Sequence, residues 1–146
     1  MKLSLVQPNF RQGGSAFSGY WLPYSVGCVY SYSAQSPEFK DKLELNKVIF
    51  RREKIEWASD DMLDDDIVLF SCYMWNWEYN KALAKLLKEK SPDVKIVFGG
   101  PQVTEFRNAE QIDQLPYVDT FIISEGELSV HQYLLDFEKG NTQKLY

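Results

Sequence analysis

The run Ile67-Val68-Leu69-Phe70 restricts the fold more than any other feature of the chain. Consecutive apolar residues leave no polar face, so a strand here has to be covered on both sides, as strands of a parallel sheet are between two layers of helix. Comparable runs stand at Leu3-Ser4-Leu5-Val6, Lys47-Val48-Ile49-Phe50-Arg51, Lys95-Ile96-Val97-Phe98 and Thr120-Phe121-Ile122-Ile123. Helical patterns separate them. One runs from Trp21 to Ser33, with Pro23 tolerated in its first turn and small residues Ser25, Gly27 and Cys28 letting it lie close against a sheet or a flat ligand. A second spans Trp77 to Lys90, with Ala82, Leu83, Leu86 and Leu87 on one face. A short one covers Gln111 to Leu115, and the last runs from about Glu127 to Glu138, with Val130, Leu134, Leu135 and Phe137 inward. This alternation predicts right-handed βαβ units and one domain: an α/β Rossmann-like (flavodoxin-like) sandwich with a five-stranded, mostly parallel sheet. The polar end of the 47–51 strand marks a sheet edge. Ser36 to Asn46 reads as a surface helix or loop, and Arg11 to Gly19, through Gly13-Gly14, as a loop.

A length of 146 residues suits one domain. Lys and Arg total 16 against 21 Asp and Glu, giving a net charge of -5 and a pI near 4.9. With no basic cluster longer than Arg51-Arg52, nucleic acid is not an expected partner. Cys28 and Cys72 are too few for a disulfide framework or a four-thiolate metal site, and read as free thiols of a reducing cytosol. The opening Met1 to Val6 turns polar at Gln7-Pro8-Asn9, unlike a signal peptide, and no stretch reaches the ~20 apolar residues of a membrane span. A soluble, cytoplasmic protein without a membrane partner is the expectation. The acidic run Ser59 to Asp66 reads as one solvated helical turn, because its charges lack metal-ligand spacing.

In open α/β sheets, ligands bind outside the carboxyl ends of the strands. Those ends are Gln7-Pro8-Asn9-Phe10, Ser71-Cys72-Tyr73-Met74-Trp75-Asn76, Gly99-Gly100-Pro101-Gln102-Val103-Thr104 and Ser124-Glu125-Gly126-Glu127. Tyr73, Met74 and Trp75 together suggest an apolar platform for a large planar ligand or a partner domain. Gly99-Gly100 reads first as a turn requiring positive φ, with close backbone approach to a ligand as the other reading. Nucleotide fingerprints such as G-x-G-x-x-G are absent, which disfavours NAD, ATP and FMN. His131 lies on the last helix with no nucleophile partner in the pattern, and Glu125 and Glu127 read first as capping and dipole-compensating residues. From the residues alone, a binding domain is better supported than an enzyme. An interaction or signalling domain of flavodoxin-like fold, with no cofactor and the aromatic loop as its interface, is the rival reading.

With the loops placed, the chain resembles the N-terminal cobalamin-binding domain of cobalamin-dependent radical S-adenosylmethionine enzymes. The resemblance is carried by the strand ending in Ser71, the helix Asn80-Lys81-Ala82-Leu83-Ala84-Lys85-Leu86-Leu87-Lys88, and Ser91-Pro92-Asp93-Val94-Lys95-Ile96-Val97-Phe98-Gly99-Gly100-Pro101. Pro116-Tyr117-Val118-Asp119 and Glu125-Gly126-Glu127 continue it, while residues 1–60 match in layout, through the strand-then-Pro opening and Trp21-Leu22-Pro23-Tyr24. The resemblance implies that cobalamin, and with it cobalt, lies over the carboxyl ends of the strands, its dimethylbenzimidazole tail between sheet and helix. It sets Ser71 against the tail, makes room beside Gly99 and Gly100, and turns Gln7 to Phe10 and Cys72 to Asn76 toward the corrin. The expected cofactor-binding residues are Gln7, Pro8, Asn9, Phe10, Trp21, Ser71, Cys72, Tyr73, Met74, Trp75, Asn76, Gly99, Gly100, Pro101, Gln102, Val103, Glu125 and Gly126, with no catalytic residue and no protein ligand to a metal.

Two departures refine the resemblance. The Asp-x-His-x-x-Gly that other cobalamin proteins carry after the first strand is replaced by Gln7-Pro8-Asn9-Phe10-Arg11-Gln12-Gly13, which implies base-off cobalamin without a histidine ligand. The Cys-x-x-x-Cys-x-x-Cys motif for an iron–sulfur cluster is missing. Either the chain is a free-standing cobalamin carrier or, the favoured reading, the cluster and S-adenosylmethionine belong to a C-terminal radical S-adenosylmethionine domain in cis, with residues 1–140 forming the cobalamin-binding domain and 141–146 starting a linker. A methyltransferase or related enzyme is the implied parent, with cobalt passing a methyl group from S-adenosylmethionine to a substrate radical.

Overall fold

Each apolar run becomes a strand of one sheet in the computed structural model of the chain, which describes residues 1–13, 19–103, 109–123 and 125–146. The strands are β1 (Lys2–Val6), β2 (Glu44–Ile49), β3 (Ile67–Ser71), β4 (Lys95–Gly99) and β5 (Thr120–Ile122). All four pairings are parallel, in the order β2-β1-β3-β4-β5, so the direction of strand addition reverses at β1/β3. This is the flavodoxin-like arrangement, whose switch point is a ligand crevice. The helices are α1 (Tyr24–Ala34), α2 (Ile55–Asp60), α3 (Trp77–Lys90), α4 (Ala109–Asp113) and α5 (Gly126–Glu138).

The continuous run in β3 is explained by two separate cores. Val68 and Phe70 join Ile96 and Phe98 on one face, under Leu83, Ala84 and Leu87 of α3. Ile67 and Leu69 join Leu3, Leu5 and Val97 on the other, under Val26 of α1 and Val130, Tyr133 and Leu134 of α5. Full burial of such a side chain contributes about 1.5–3 kcal/mol, so both faces hold the sheet.

Several boundaries differ from the sequence reading, for tertiary reasons. Helix α1 starts at Tyr24 instead of Trp21, because Leu22 precedes Pro23 and is pushed out of helical geometry. Gly27 does not serve close packing: a Cβ there would meet nothing within 4 Å. Strand β2 begins at Glu44, inside the stretch read as surface, because Lys2↔Glu44 and Leu3↔Leu45 pairing extends it along β1. Phe39, in that same stretch, is fully buried. Arg11–Gln12 pairs antiparallel with Gly19–Tyr20 where a plain loop was expected. The acidic stretch follows α2 and is held by contacts: Asp60 to Lys90 at 2.7 Å, Asp61 to Lys47, and Asp66 accepting the Lys2 amide at 2.7 Å. At the chain's end, Lys144 to Tyr146 runs parallel to β5, with the Tyr146 amide donating to Phe121 O at 2.9 Å and the Ile123 amide to Tyr146 O at 2.8 Å.

Candidate functional site

Register builds the floor of a cavity. Ser71 of β3 pairs with Gly99 of β4, and Gly99 pairs with Ile122 of β5, so these residues form one row across the carboxyl ends of three strands. Parallel partners point to the same face, and the row behind is Leu69 and Val97. Gly99, in the middle of the front row, has no side chain, so the floor is hollow at its centre. A Cβ there would lie 3.3 Å from the Ile122 Cβ. The roof is α1 and α5, and the enclosed cavity is about 270 Å³. Its walls add Tyr24, Ser25, Cys28 and Val29 from α1 and Gly126, Glu127 and Val130 from α5. Gly126 sets the spacing of the roof, since a Cβ at that position would come within 2.9 Å of Val29 Cγ2.

The turn beside the floor is fixed by backbone. Gly100 has φ +97, and a Cβ would fall 2.9 Å from Cys72 O. The Cys72 amide donates to Gly99 O at 2.7 Å, and the Gln102 amide donates back to Cys72 O at 3.1 Å. Both roles weighed for the glycine pair are thus present, divided between its members: Gly100 takes the positive-φ turn, and Gly99 makes the open floor. The loop after β3 is braced by asparagines, with Asn76 Nδ2 donating to Ser71 O at 3.0 Å, Asn80 Nδ2 to the same oxygen at 3.3 Å, and the Tyr73 amide to Asn76 Oδ1 at 2.8 Å.

Of the residues expected to bind, Ser71, Tyr73, Gly99, Gly100 and Gly126 come together around the cavity. Phe10, Trp21, Met74 and Trp75 are instead exposed on the rim, and Tyr73 stacks on Trp75 with centroids 4.5 Å apart. Gln7, Asn9, Cys72 and Asn76 are buried and bonded within the chain, so their side chains brace the rim from below. Gln7 Oε1 accepts the Val26 amide at 3.1 Å; Asn9 donates to Trp21 O at 3.1 Å and accepts from Trp75 Nε1 at 3.2 Å. The Cys72 thiol receives a contact from Asn80 Nδ2 at 3.5 Å, and burial pushes its pKa up to about 12. Pro8 is buried; Val103 is buried in the opposite core, with Pro101 and Gln102 in the turn leading to it. Glu125 occupies the N-cap of α5 without a side-chain capping bond, so the capping role expected of it is not made, and Glu127 sits in the first turn of α5. Thr104 and Ser124 lie outside the described residues.

The small residues Ser25 and Cys28, expected to let the helix lie close against a sheet or a flat ligand, do line the cavity; they, with Tyr24 and Val29, were not among the expected cofactor-binding residues. His131 is far along α5, edge-on to the rings of Tyr32 at 5.8 Å and Phe39 at 5.4 Å. Among the described residues no cluster of His, Cys, Asp and Glu could hold a metal ion, and no helix is long and apolar enough to cross a membrane.

Residues 48–134, more than half of the chain, match the B12 binding domain model. The chain is 30% identical over 114 residues to the cobalamin-dependent radical SAM methyltransferase TokK of Streptomyces tokunonensis, covering 78% of this chain and 17% of that protein. It is 28% identical over 116 residues to 2-(S-pantetheinyl)-carbapenam-3-carboxylate methyltransferase of Streptantibioticus cattleyicolor, covering 80% and 17%. With the anaerobic magnesium-protoporphyrin IX monomethyl ester cyclase of Rubrivivax gelatinosus it shares 23% identity over 133 residues, covering 87% and 23%. The chain therefore spans less than a quarter of the length of each of these relatives. Fold, strand-end cavity and family match agree, and the chain belongs to the B12-binding domain family.

Proposed function

We propose that this chain holds cobalamin with its nucleotide tail in the cavity under α1 and α5, the cofactor being base-off and without a histidine ligand from the protein. The hollow at Gly99 carries this reading. A flat aromatic base fits between Leu69, Val97 and Ile122 of the sheet and the roof residues Val29 and Val130. The Ser71 hydroxyl, at the strand end, has no hydrogen-bond partner among the described residues and is available to a ring nitrogen. The exposed rim of Phe10, Trp21, Met74 and Trp75 offers an apolar seat for a corrin face. The loop after β1 contains no histidine, and the ring contacts of His131 keep it on the flank of α5.

When bound, cobalamin supplies a cobalt centre able to carry a methyl group. The residues of this chain bind, orient and shield it. From the names of the relatives and the small share of them that this chain covers, we infer that it serves as the N-terminal part of a radical S-adenosylmethionine methyltransferase or related enzyme. The iron–sulfur cluster and S-adenosylmethionine would be held by a C-terminal domain in cis, reached by a linker starting in residues 141–146. A cytoplasmic setting accords with the free thiols of Cys28 and Cys72.

The test is retention of corrin absorbance after mixing the chain with hydroxocobalamin and desalting. Retention by the native chain, with loss in Cys28→Trp and Val130→Phe variants that keep the native circular dichroism, is expected. Absence of retained corrin in the native chain overturns the reading. Electron paramagnetic resonance of the reduced Co(II) form tests the ligand: splitting by an axial nitrogen would exclude the base-off, histidine-free mode.

A further inference from the structure

A second recess opens at the carboxyl ends of β1 and β2, on the other side of the switch point from the cavity. It encloses about 410 Å³ and is lined by Arg11, Gly19, Tyr20, Phe50 and Arg51. We propose that Arg11 and Arg51 form a binding site for the phosphate or carboxylate group of a small molecule, distinct from the cavity assigned to the cobalamin tail.

Charge gives the first argument. In a chain of net charge -5, neither Arg11 nor Arg51 has a carboxylate within ion-pair distance among the described residues. The acidic side chain nearest in sequence, Glu53, is taken by Lys47 at 2.9 Å. The third arginine of the group, Arg52, is spent on the carbonyl of Trp75, which leaves Arg11 and Arg51 as the available pair.

Preorganisation gives the second. The Arg51 guanidinium lies 4.9 Å from the Phe50 ring centroid and 5.3 Å from that of Tyr20, and these rings meet edge to face at 84°. Contact with two rings restrains a side chain that would otherwise lose much rotamer freedom on binding. Among the described residues the guanidinium makes no ion pair, and its planar fork of N–H groups matches the paired oxygens of a carboxylate or phosphate. Arg11 is brought alongside by the two-residue ladder that pairs it with Tyr20. The ladder thus has a use beyond closing the loop, because it sets one cation and one aromatic ring of the site at once.

The experiment uses the cobalamin-free 146-residue chain, so its outcome is independent of the corrin reading. At low ionic strength, where surface charge is least screened, pyrophosphate and succinate are titrated separately while backbone amide resonances are followed. Saturable shifts at Gly19, Tyr20 and Arg51 are expected for at least one anion, and the tighter of the two identifies the preferred group. Arg51→Gln should weaken that midpoint about tenfold, the loss of one charge-assisted contact. Arg51→Lys, which keeps charge but loses the planar fork, should fall between. Arg11→Gln, at an exposed position, gives a second variant with little risk to folding. Linear, unsaturable shifts with both anions would overturn the proposal, and so would midpoints unchanged in both glutamine variants.

Discussion

The hydroxyl of Ser25 lies 2.6 Å from that of Tyr73, joining α1 to the loop after β3 across the mouth of the cavity. The two residues are far apart in sequence, and their bond closes the cavity on the side where the rim aromatics begin. Its partners also line the cavity, so it belongs to the wall and to the gate at once.

Removing that tie should act on the residence time of a ligand more than on folding. Ser25→Ala and Tyr73→Phe each forfeit a part-buried hydrogen bond worth about 1 kcal/mol. Cobalamin should dissociate about fivefold faster from either variant, and the double variant should be little worse than either single one. Stopped-flow release of the corrin into excess competitor measures this, and additive effects would show that the hydroxyls act separately.

Gly99 and Gly100 should respond differently to the same methyl group. At Gly100 the backbone is left-handed and the new Cβ would press on Cys72 O, so Gly100→Ala should destabilise the fold by about 2–4 kcal/mol. At Gly99 the only close neighbour is a side-chain carbon at 3.3 Å, so Gly99→Ala should fold with a smaller loss, under about 1.5 kcal/mol, yet bind cobalamin more weakly. Urea denaturation and corrin retention, measured on both variants, separate the turn from the floor. A bulky Gly100 variant would be a poor blocking control for this reason.

The two thiols should differ in reactivity. Cys72 is fully buried with its thiol pushed up to about 12, whereas Cys28 is half-buried on the cavity wall. Iodoacetamide at mildly alkaline pH should modify Cys28 in the native chain and Cys72 only after unfolding. Saturating cyanocobalamin should slow the Cys28 reaction. Peptide mass mapping reads both sites, and rapid native labelling of Cys72 would contradict the closed loop described for it.

Burial raises the Asp65 carboxyl above the usual aspartate range, against the hydrogen bonds that favour its charged form. The folded state therefore prefers the protonated acid. That contribution to stability is present at low pH and is lost as pH rises through the raised folded value. Asp65→Asn keeps an oxygen for Asn46 Nδ2, which now donates to Asp65 Oδ1 at 2.9 Å, and removes the buried charge. Its melting temperature should exceed that of the native chain by about 2–4 °C at neutral pH, and the difference should shrink toward about pH 4, where aspartate ordinarily protonates. Thermal unfolding across that range checks both the sign and the window.

What the sequence by itself determined was the sheet and where its useful end lies. A run such as Ile67 to Phe70 can be buried on both faces in few ways, and helical periods between such runs leave the parallel sandwich as the economical solution. Ser71 and Gly99 were legible as residues of the sheet's carboxyl end because they end strands, and both line the cavity there. The tertiary structure alone decided which side chains line the cavity and which hold up the rim. Gln7, Asn9, Cys72 and Asn76 have the chemistry of ligand contacts, but backbone groups of α1 and the neighbouring loops, and for Cys72 the Asn80 side chain, claim them first, as buried polar groups require. The pairing of Arg11 with Arg51 depends on loops distant in sequence being laid side by side, and no local pattern encodes that juxtaposition. Register made the final difference: one row aligns Ser71, Gly99 and Ile122, and a shift of one residue would have turned that row into the opposite core.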